Sequence, residues 1–172
     1  MTDLKDLLLD TLRAQRRRVL SALDGLPDGA LTSSAVPSGW TPLGMVRHLT
    51  SDVERFWFQG VVAGEALDLP TDDEVWHPSP FPGRQQILDD YAAAAARSDR
   101  IIGSTALDAR PSSRASARYP WAPDRSLLET VLHVITETAT HAGHLDVGRE
   151  LVDGHQHLVL TAFSDHGGSE AP

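Results

Sequence analysis

The stretch LLETVLHVITETATHAGHLDVGRELV, residues 127–152, is the clearest helix in the sequence, and it decides the fold class. Ser126 stands directly before it and Glu129 follows three residues later, which is the spacing of a capping box at a helix start. At about 100° per residue, four polar side chains fall within an arc of roughly 80°: His133, Glu137, His141 and His144. The helix therefore carries a polar stripe on one face.

Three further helices are predicted upstream. Apolar residues recur at spacings of three, four and seven over residues 3–26, which indicates an amphipathic helix. Thr41 followed by Pro42 is typical of a helix start, and the apolar pattern predicts that this helix continues to about residue 64. A third helix is predicted over 84–103, mainly from the helix propensity of its alanine-rich centre.

Two long segments between these helices, 65–83 and 104–124, are rich in proline and are predicted to be irregular loops. Four helices without a convincing strand pattern predict an all-α fold, an antiparallel four-helix bundle. The chain length of 172 residues suits one domain. We therefore expect a single domain over residues 1–153 and a C-terminal tail over 154–172.

Composition and charge exclude several classes of protein. The hydrophobic content of 41% with 23% charged residues is that of an ordinary globular protein. A net charge of -9 argues against a nucleic-acid partner, because phosphate binding needs a concentrated basic surface. The one basic run is interpreted as a solvated helix face: Arg13, Arg16, Arg17 and Arg18.

No stretch is long and apolar enough to predict a membrane span, and acidic residues stand where a signal peptide would be basic. The sequence therefore predicts a cytoplasmic protein without a membrane partner. Cysteine is absent, which excludes disulfides, cysteine zinc sites and a protein thiol nucleophile. Any thiol chemistry would need a thiol that binds from outside.

The polar stripe of the fourth helix is a candidate metal site, because a carboxylate near the core needs compensation. Glu137 and His141, four residues apart, can direct an oxygen and a nitrogen to one divalent ion. A third ligand would have to come from another helix, and His48 lies in an apolar pattern on the second one. Asp52, one turn further on, either holds the second ring nitrogen of His48 or is exposed.

His144 and His133 are assigned to supporting the ligands or facing the substrate, because a catalytic metal keeps an open coordination position. In the second long loop, Arg114 and Arg118 are candidates, with Arg110, to bind carboxylates of a cofactor or substrate. The four tryptophans are interpreted as packing or loop anchors: Trp40, Trp57, Trp76 and Trp121.

The segments WTPLGMVRHL, residues 40–49, and ETATHAGHLDVGRE, residues 137–150, carry a family resemblance. The chain resembles the DinB/YfiT-like superfamily of metal-binding four-helix bundles over roughly residues 4–151. It is similar to the branch that includes mycothiol-dependent maleylpyruvate isomerase, and the local sequence around both motifs is most like that of an uncharacterised group. The resemblance implies His48, Glu137 and His141 as metal ligands.

The resemblance further implies a divalent ion, with zinc first and nickel, iron or manganese as alternatives. That ion would activate a low-molecular-weight thiol such as mycothiol or bacillithiol towards an electrophilic substrate, in a transferase or isomerase reaction. It also implies a homodimer. Two rival functions stay open: a hydrolase in which the metal activates water, and a noncatalytic metal-binding protein associated with stress. A bundle whose polar stripe binds nothing is the remaining alternative.

Overall fold

A computed structural model describes residues 3–77 and 81–156, and within those two ranges the regular structure is helical, without a strand. The elements follow in the order α1 (Leu4–Ser21), α2 (Asp28–Leu31), α3 (Pro42–His48), a π-helix π1 (Leu49–Val62), α4 (Asp72–Trp76), α5 (Arg84–Ser104), α6 (Ser113–Arg118) and α7 (Leu127–Asp153). In this part of the chain, no helix has the length and apolar character that crossing a membrane requires.

Four long rods form the bundle: α1, α3 continued by π1, α5 and α7. α1 packs along α7, α7 along π1, π1 along α5, and α5 returns to α1. The rods enclose one apolar core, whose largest fully buried members include Leu12, Phe58 and Tyr91. The prediction of an all-α four-helix bundle is confirmed.

Polar contacts at the two ends of the rods give their directions. Lys5, near the start of α1, donates from Nζ to the Thr105 carbonyl at 2.8 Å, just beyond the end of α5. Two turns further along α1, Arg13 pairs with Asp99, which precedes that end of α5. α1 and α5 are therefore antiparallel.

Two of the other three neighbouring pairs, α1 with α7 and α3–π1 with α5, run parallel, which differs from the antiparallel arrangement predicted for the whole bundle. Near the end of α1, Arg18 pairs with Asp146 of α7. Further along both helices, Arg149 of α7 donates to the carbonyl of Ala22, the residue after α1.

Along α3–π1 and α5 the order of contacts likewise rises together, since Arg47 shares a groove with Asp90, and Glu54 further along contacts Ser98. The connection from π1 to α5 must therefore return over the bundle, as long connections do in bundles with parallel neighbours. We call its described part, residues 63–77, the crossing segment.

The predicted helix starts are confirmed at atomic level. Ser126 Oγ accepts a bond from the Glu129 amide at 3.3 Å, while Glu129 Oε2 accepts from the Ser126 amide at 2.7 Å. Thr41 Oγ1 accepts from the Gly44 amide at 3.0 Å. The two predicted loops are only partly irregular, since α4 begins on a capping box from Thr71 to Glu74 and α6 lies in the second loop.

The first helix ends at Ser21, five residues earlier than predicted, and a turn follows it. Its apolar pattern divides between two environments. The buried members are Leu8, Leu12, Val19 and Leu23, whereas Leu4, Leu7 and Leu20 are exposed. At about 100° per residue, Leu4 and Leu7 lie beside one edge of the buried stripe and Leu20 beside the other, a division that sequence spacing alone did not show.

The second helix is continuous from Pro42 to Val62, as predicted, but its turns widen after His48. At its end the Ala63 amide bonds to the Phe58 carbonyl at 2.9 Å, five residues back instead of four. Such π-type turns are rare and occur often at functional sites. An apolar pattern spaced at three and four residues does not separate an α-helix from this wider form.

The basic run of α1 is not wholly solvated, and the interpretation is wrong for Arg16. This side chain is 6% exposed. Its Nε and Nη2 donate to the two carboxylate oxygens of Glu54 at 2.7 and 2.8 Å, and Nη1 donates to Asp99 at 2.6 Å. We call these three residues the Arg16 network. Its carboxylates lie 38 and 83 residues away in sequence, so local sequence gave no sign of the pairing.

Gly154 ends α7 in the left-handed backbone region, with φ of 74°, where a glycine is favoured. Most of the predicted C-terminal tail, residues 157–172, lies outside the described residues. The division into a domain over 1–153 and a tail therefore stays a prediction.

Candidate metal centre

His48 is the last residue of α3, and its ring is held on two sides. Its Nδ1 lies 2.8 Å from Oδ2 of Asp52, one turn further along the same rod. The indole of Trp76 stacks on the ring with 5.1 Å between centroids and 21° between planes. With Nδ1 occupied by a carboxylate, the proton of a neutral imidazole stays on Nδ1, and Nε2 is left with a lone pair.

The predicted triad comes together between α3 and α7. The rings of His48 and His141 meet edge to face, 4.9 Å apart. His141 Nε2 lies 3.4 Å from Oε2 of Glu137, four residues earlier on α7. One donor atom from each of His48, Glu137 and His141 lies within 4.8 Å of the other two. Three metal-binding atoms from two helices therefore converge on one point.

The environment of His141 favours the neutral ring. Burial and the neighbouring His48 lower the pKa of His141, and these effects outweigh the opposing influence of Glu137. A histidine must be neutral to bind a metal ion, because the proton occupies the same lone pair. The lowered pKa thus keeps this nitrogen available at neutral pH.

The donor set fits a divalent ion. Two imidazole nitrogens and one carboxylate oxygen form a three-ligand set of the kind found in catalytic zinc sites. The contact from Asp52 to His48 supplies the carboxylate that commonly orients a metal-binding histidine. The side chain of Glu137 is 38% exposed, against 20% for His48 and 16% for His141. The site is therefore open to solvent on the Glu137 side.

His144 lies next to this triad but outside it. Its ring is exposed, and its Nδ1 is 3.4 Å from Nδ1 of His141. On its other side it faces Trp40, with 6.5 Å between ring centroids. The position is compatible with the predicted supporting or substrate-facing role, which stays a prediction.

His133 belongs to a different contact group, one turn before Glu137 on α7. Its ring meets Trp57 edge to face at 4.7 Å, and Arg125 lies over the same indole at 5.1 Å. Burial, and next the charge of Arg125, lower the pKa of His133. The polar stripe of α7 thus divides into a part at His133 that contacts aromatic and basic groups and a part at His141 that belongs to the candidate metal centre.

The two arginines predicted to bind carboxylates differ in their surroundings. Arg118 donates from Nη1 to the Gly64 carbonyl at 2.8 Å, which ties α6 to the end of π1. Arg114 is exposed, and no bond from its guanidinium exists within residues 3–77 and 81–156. Their proposed contact with a cofactor or substrate stays a prediction.

Sequence reasoning missed the contribution of Trp76 to the site. The tryptophan was interpreted as a loop anchor, but it belongs to α4 and covers one face of His48. The capping-box spacing of Thr71 and Glu74 could have revealed that helix. Beyond the indole, a mainly apolar cavity of about 270 Å³ reaches Trp40, and Trp76 lies between this cavity and the ring of His48.

Comparison with known proteins gives a family and a fold. The model of the family described as mycothiol S-transferase matches residues 7–154. No curated protein matches the sequence. A crystal structure described as a conserved protein from Enterococcus faecalis superposes with a TM-score of 0.65 at 15% identity, covering 90% of this chain and 100% of that one. At that identity the likeness concerns the fold.

Proposed function

Because the chain belongs to the mycothiol S-transferase family of DinB-like proteins, we propose that it is a metal-dependent thiol transferase or isomerase. Its cosubstrates would be a low-molecular-weight thiol of the mycothiol type and an electrophilic small molecule. One observation carries the proposal: donor atoms of His48, Glu137 and His141 lie within 4.8 Å of one another at an opening to solvent.

His48, Glu137 and His141 would hold the ion. Zinc suits this mixed nitrogen and oxygen set, and nickel, iron and manganese fit it as well. When bound, a divalent ion supplies a Lewis acid that lowers the pKa of a thiol and so provides thiolate near neutral pH. The thiol must come from outside the chain, because the sequence has no cysteine.

The protein's own groups would fix the geometry of that step. Asp52 contacts Nδ1 of His48, so Nε2 is the ring nitrogen that would bind the ion, and the ring meets that of His141 edge to face. Trp76 covers the other face of the same ring and limits water on that side. The exposed carboxylate of Glu137 marks the open side, where the thiol and the electrophile would meet.

The remaining assignments belong to the same proposal. His144 and His133 would support the ligands or face the substrate, and Arg114 and Arg118 would contact carboxylates of the thiol or substrate. A reduced thiol cofactor favours a cytoplasmic location. We also propose a homodimer.

The proposal is tested by thiol conjugation with purified, zinc-loaded protein, mycothiol and a fluorogenic electrophile. We expect turnover above the rate without enzyme that requires the thiol and falls to background in His141→Ala. His155→Ala is the matched control, since His155 is an exposed histidine near the C-terminal end of α7. This variant should keep the parent rate.

The same assay separates the rival functions. Consumption of an ester or amide substrate without thiol would favour a hydrolase that activates water. A fully loaded protein that turns over neither thiols nor such substrates would contradict an enzymatic role and favour a noncatalytic metal-binding protein.

A further inference from the structure

A second cavity lies away from the metal centre, in a groove between α3–π1 and α5 that the crossing segment borders. Its volume is about 420 Å³, within the range of small-molecule sites. We call it the arginine groove, because Arg47, Arg55 and Arg97 line it. His48 reaches towards α7, whereas its neighbour Arg47 faces α5, so the two sites open on different sides of one rod.

The charge of the arginine groove is opposite to that of the protein. Three guanidinium groups and one carboxylate, Asp90, line it, whereas the chain as a whole carries -9. Such a local concentration of one sign in a concave surface raises the concentration of oppositely charged ligands. The groove is therefore built to attract an anion.

The guanidinium groups are held from outside the groove, and two of them by neutral acceptors. Arg47 donates to the Val75 and Glu74 carbonyls at 3.1 and 2.7 Å. Arg55 donates to the Asp68 carbonyl at 3.2 Å. Carbonyls fix the direction of a guanidinium without neutralising its charge. These contacts come from the crossing segment and leave Nη1 of both arginines without a partner in the described residues.

Arg97 differs, because it forms an ion pair with Glu65. Arg47 is half-buried, and its bonds go to backbone carbonyls instead of a carboxylate. A desolvated guanidinium without a dedicated carboxylate is stabilised when an anion binds.

The rest of the lining suits an organic ligand. The hydroxyl of Ser51, a buried residue of π1, and the amide of Gln59 have no side-chain bond within residues 3–77 and 81–156. Ile87 and Ala93 contribute apolar surface from α5. Polar side chains therefore make up most of the lining, and the apolar residues leave room for a short apolar body beside a charged group.

We propose that the arginine groove is a second binding site, for a small organic oxyanion with a carboxylate or phosphate group and a short apolar body. Arg47 and Arg55 pair with the oxyanion through their Nη1 groups, and Ser51 or Gln59 hydrogen-bonds the ligand. The site is independent of metal and thiol, and it can serve a second substrate, an inhibitor or an effector.

The test is isothermal titration of the full chain with three probes: succinate, phenyl phosphate and inorganic phosphate. We expect saturable binding of at least one organic probe, weakened about tenfold or more in Arg55→Gln, because a charge-assisted bond is lost. Arg17→Gln is the matched control, because it removes the same charge from an exposed position on α1, away from the groove. Its affinity should equal that of the parent.

The His141→Ala variant distinguishes binding in the arginine groove from binding at the metal centre. It should bind the probes as the parent does. Stronger binding of phenyl phosphate than succinate would identify a phosphate ligand, and the reverse a carboxylate. The proposal is overturned by absence of saturable binding, by equal losses in Arg55→Gln and Arg17→Gln, or by loss of binding in His141→Ala. None of these outcomes depends on thiol-transfer activity, so the two proposals fail separately.

Discussion

Two polar clusters lie on different sides of the α3–π1 rod, and they differ in how the desolvation of their polar groups is compensated. In the Arg16 network, one guanidinium is paired with two carboxylates, and both oxygens of Glu54 accept bonds. In the triad, His48, Glu137 and His141 turn nitrogen and oxygen donors towards one another. The charges of the first cluster are paired within the protein, whereas the second, under the proposed function, would be completed by a cation. Charge compensation, more than burial, separates a structural ion pair from a binding site.

The largest effect on stability should come from breaking the Arg16 network. Glu54→Gln leaves a buried guanidinium with one carboxylate fewer, and we expect the free energy of unfolding to fall by about 3 kcal/mol. Urea denaturation measures this loss. The control is Arg13→Gln, which removes an exposed partner of Asp99 and should cost much less.

Because the Arg16 network and the triad lie on different sides of the rod, we expect Glu54→Gln to leave the triad intact. Folded Glu54→Gln should keep the metal content of the parent protein. The double variant Arg16→Met with Glu54→Leu should regain stability relative to Glu54→Gln, because apolar side chains can replace a buried ion pair. A double variant that is less stable than the single one would contradict the account of the network.

At the triad, the largest effect short of removing a ligand should come from Asp52→Asn. We expect zinc affinity to fall by about 10- to 100-fold, because the ring of His48 loses the carboxylate that orients it. Chelator competition measures the affinity. Asp73→Asn is a close control, since Asp73 makes the same four-residue contact to His77 at 3.2 Å on the exposed surface. Equal zinc affinities of Asp52→Asn and Asp73→Asn would mean that Asp52 does not support metal binding.

A smaller effect concerns the pH dependence of the metal-free protein. Because the fold lowers the pKa of His141 below its ordinary value of 6.5, the unfolded chain binds more protons near and below that pH. Stability should therefore be fully present above pH 6.5 and be lost as the pH falls through the folded pKa. Burial is the largest cause of this lowered pKa, His48 and His144 add to it, and Glu137 opposes it.

Urea midpoints measured across this range, without metal, check the sign. His141→Gln should show a shallower fall in stability below pH 6.5 than the parent. Identical slopes in the two proteins would mean that His141 titrates as it does in the unfolded chain.

The smallest effect is expected for His144→Ala. The ring lies outside the group of converging donor atoms, so zinc affinity should change by less than about threefold. Chelator competition again measures it. A loss comparable to that of a triad variant would make His144 a fourth ligand and favour a structural metal.

Local sequence signals account for much of the fold and for the triad. The spacing of Ser126 and Glu129 predicted the start of α7, and the heptad-like order of Glu137, His141 and His144 predicted a polar face. These features depend on residues within one or two turns. His48 was reachable as well, because a histidine in an apolar pattern stands out.

The missed features depend on residues that meet only in the folded chain. Arg16 is buried because Glu54 arrives from another helix, and Trp76 reaches His48 because the crossing segment returns over the bundle. The widened turns of π1 leave no mark in an apolar pattern. Tertiary pairing therefore decided what local patterns left open.

The central claim is that the triad is completed by a metal ion, and metal content tests it most directly. Untagged parent protein and His141→Ala would be purified side by side and analysed for elements after incubation with zinc. We predict about one ion per chain in the parent and less than about a tenth of that in the variant. No tightly bound ion in either protein, with zinc or with nickel, would contradict the account.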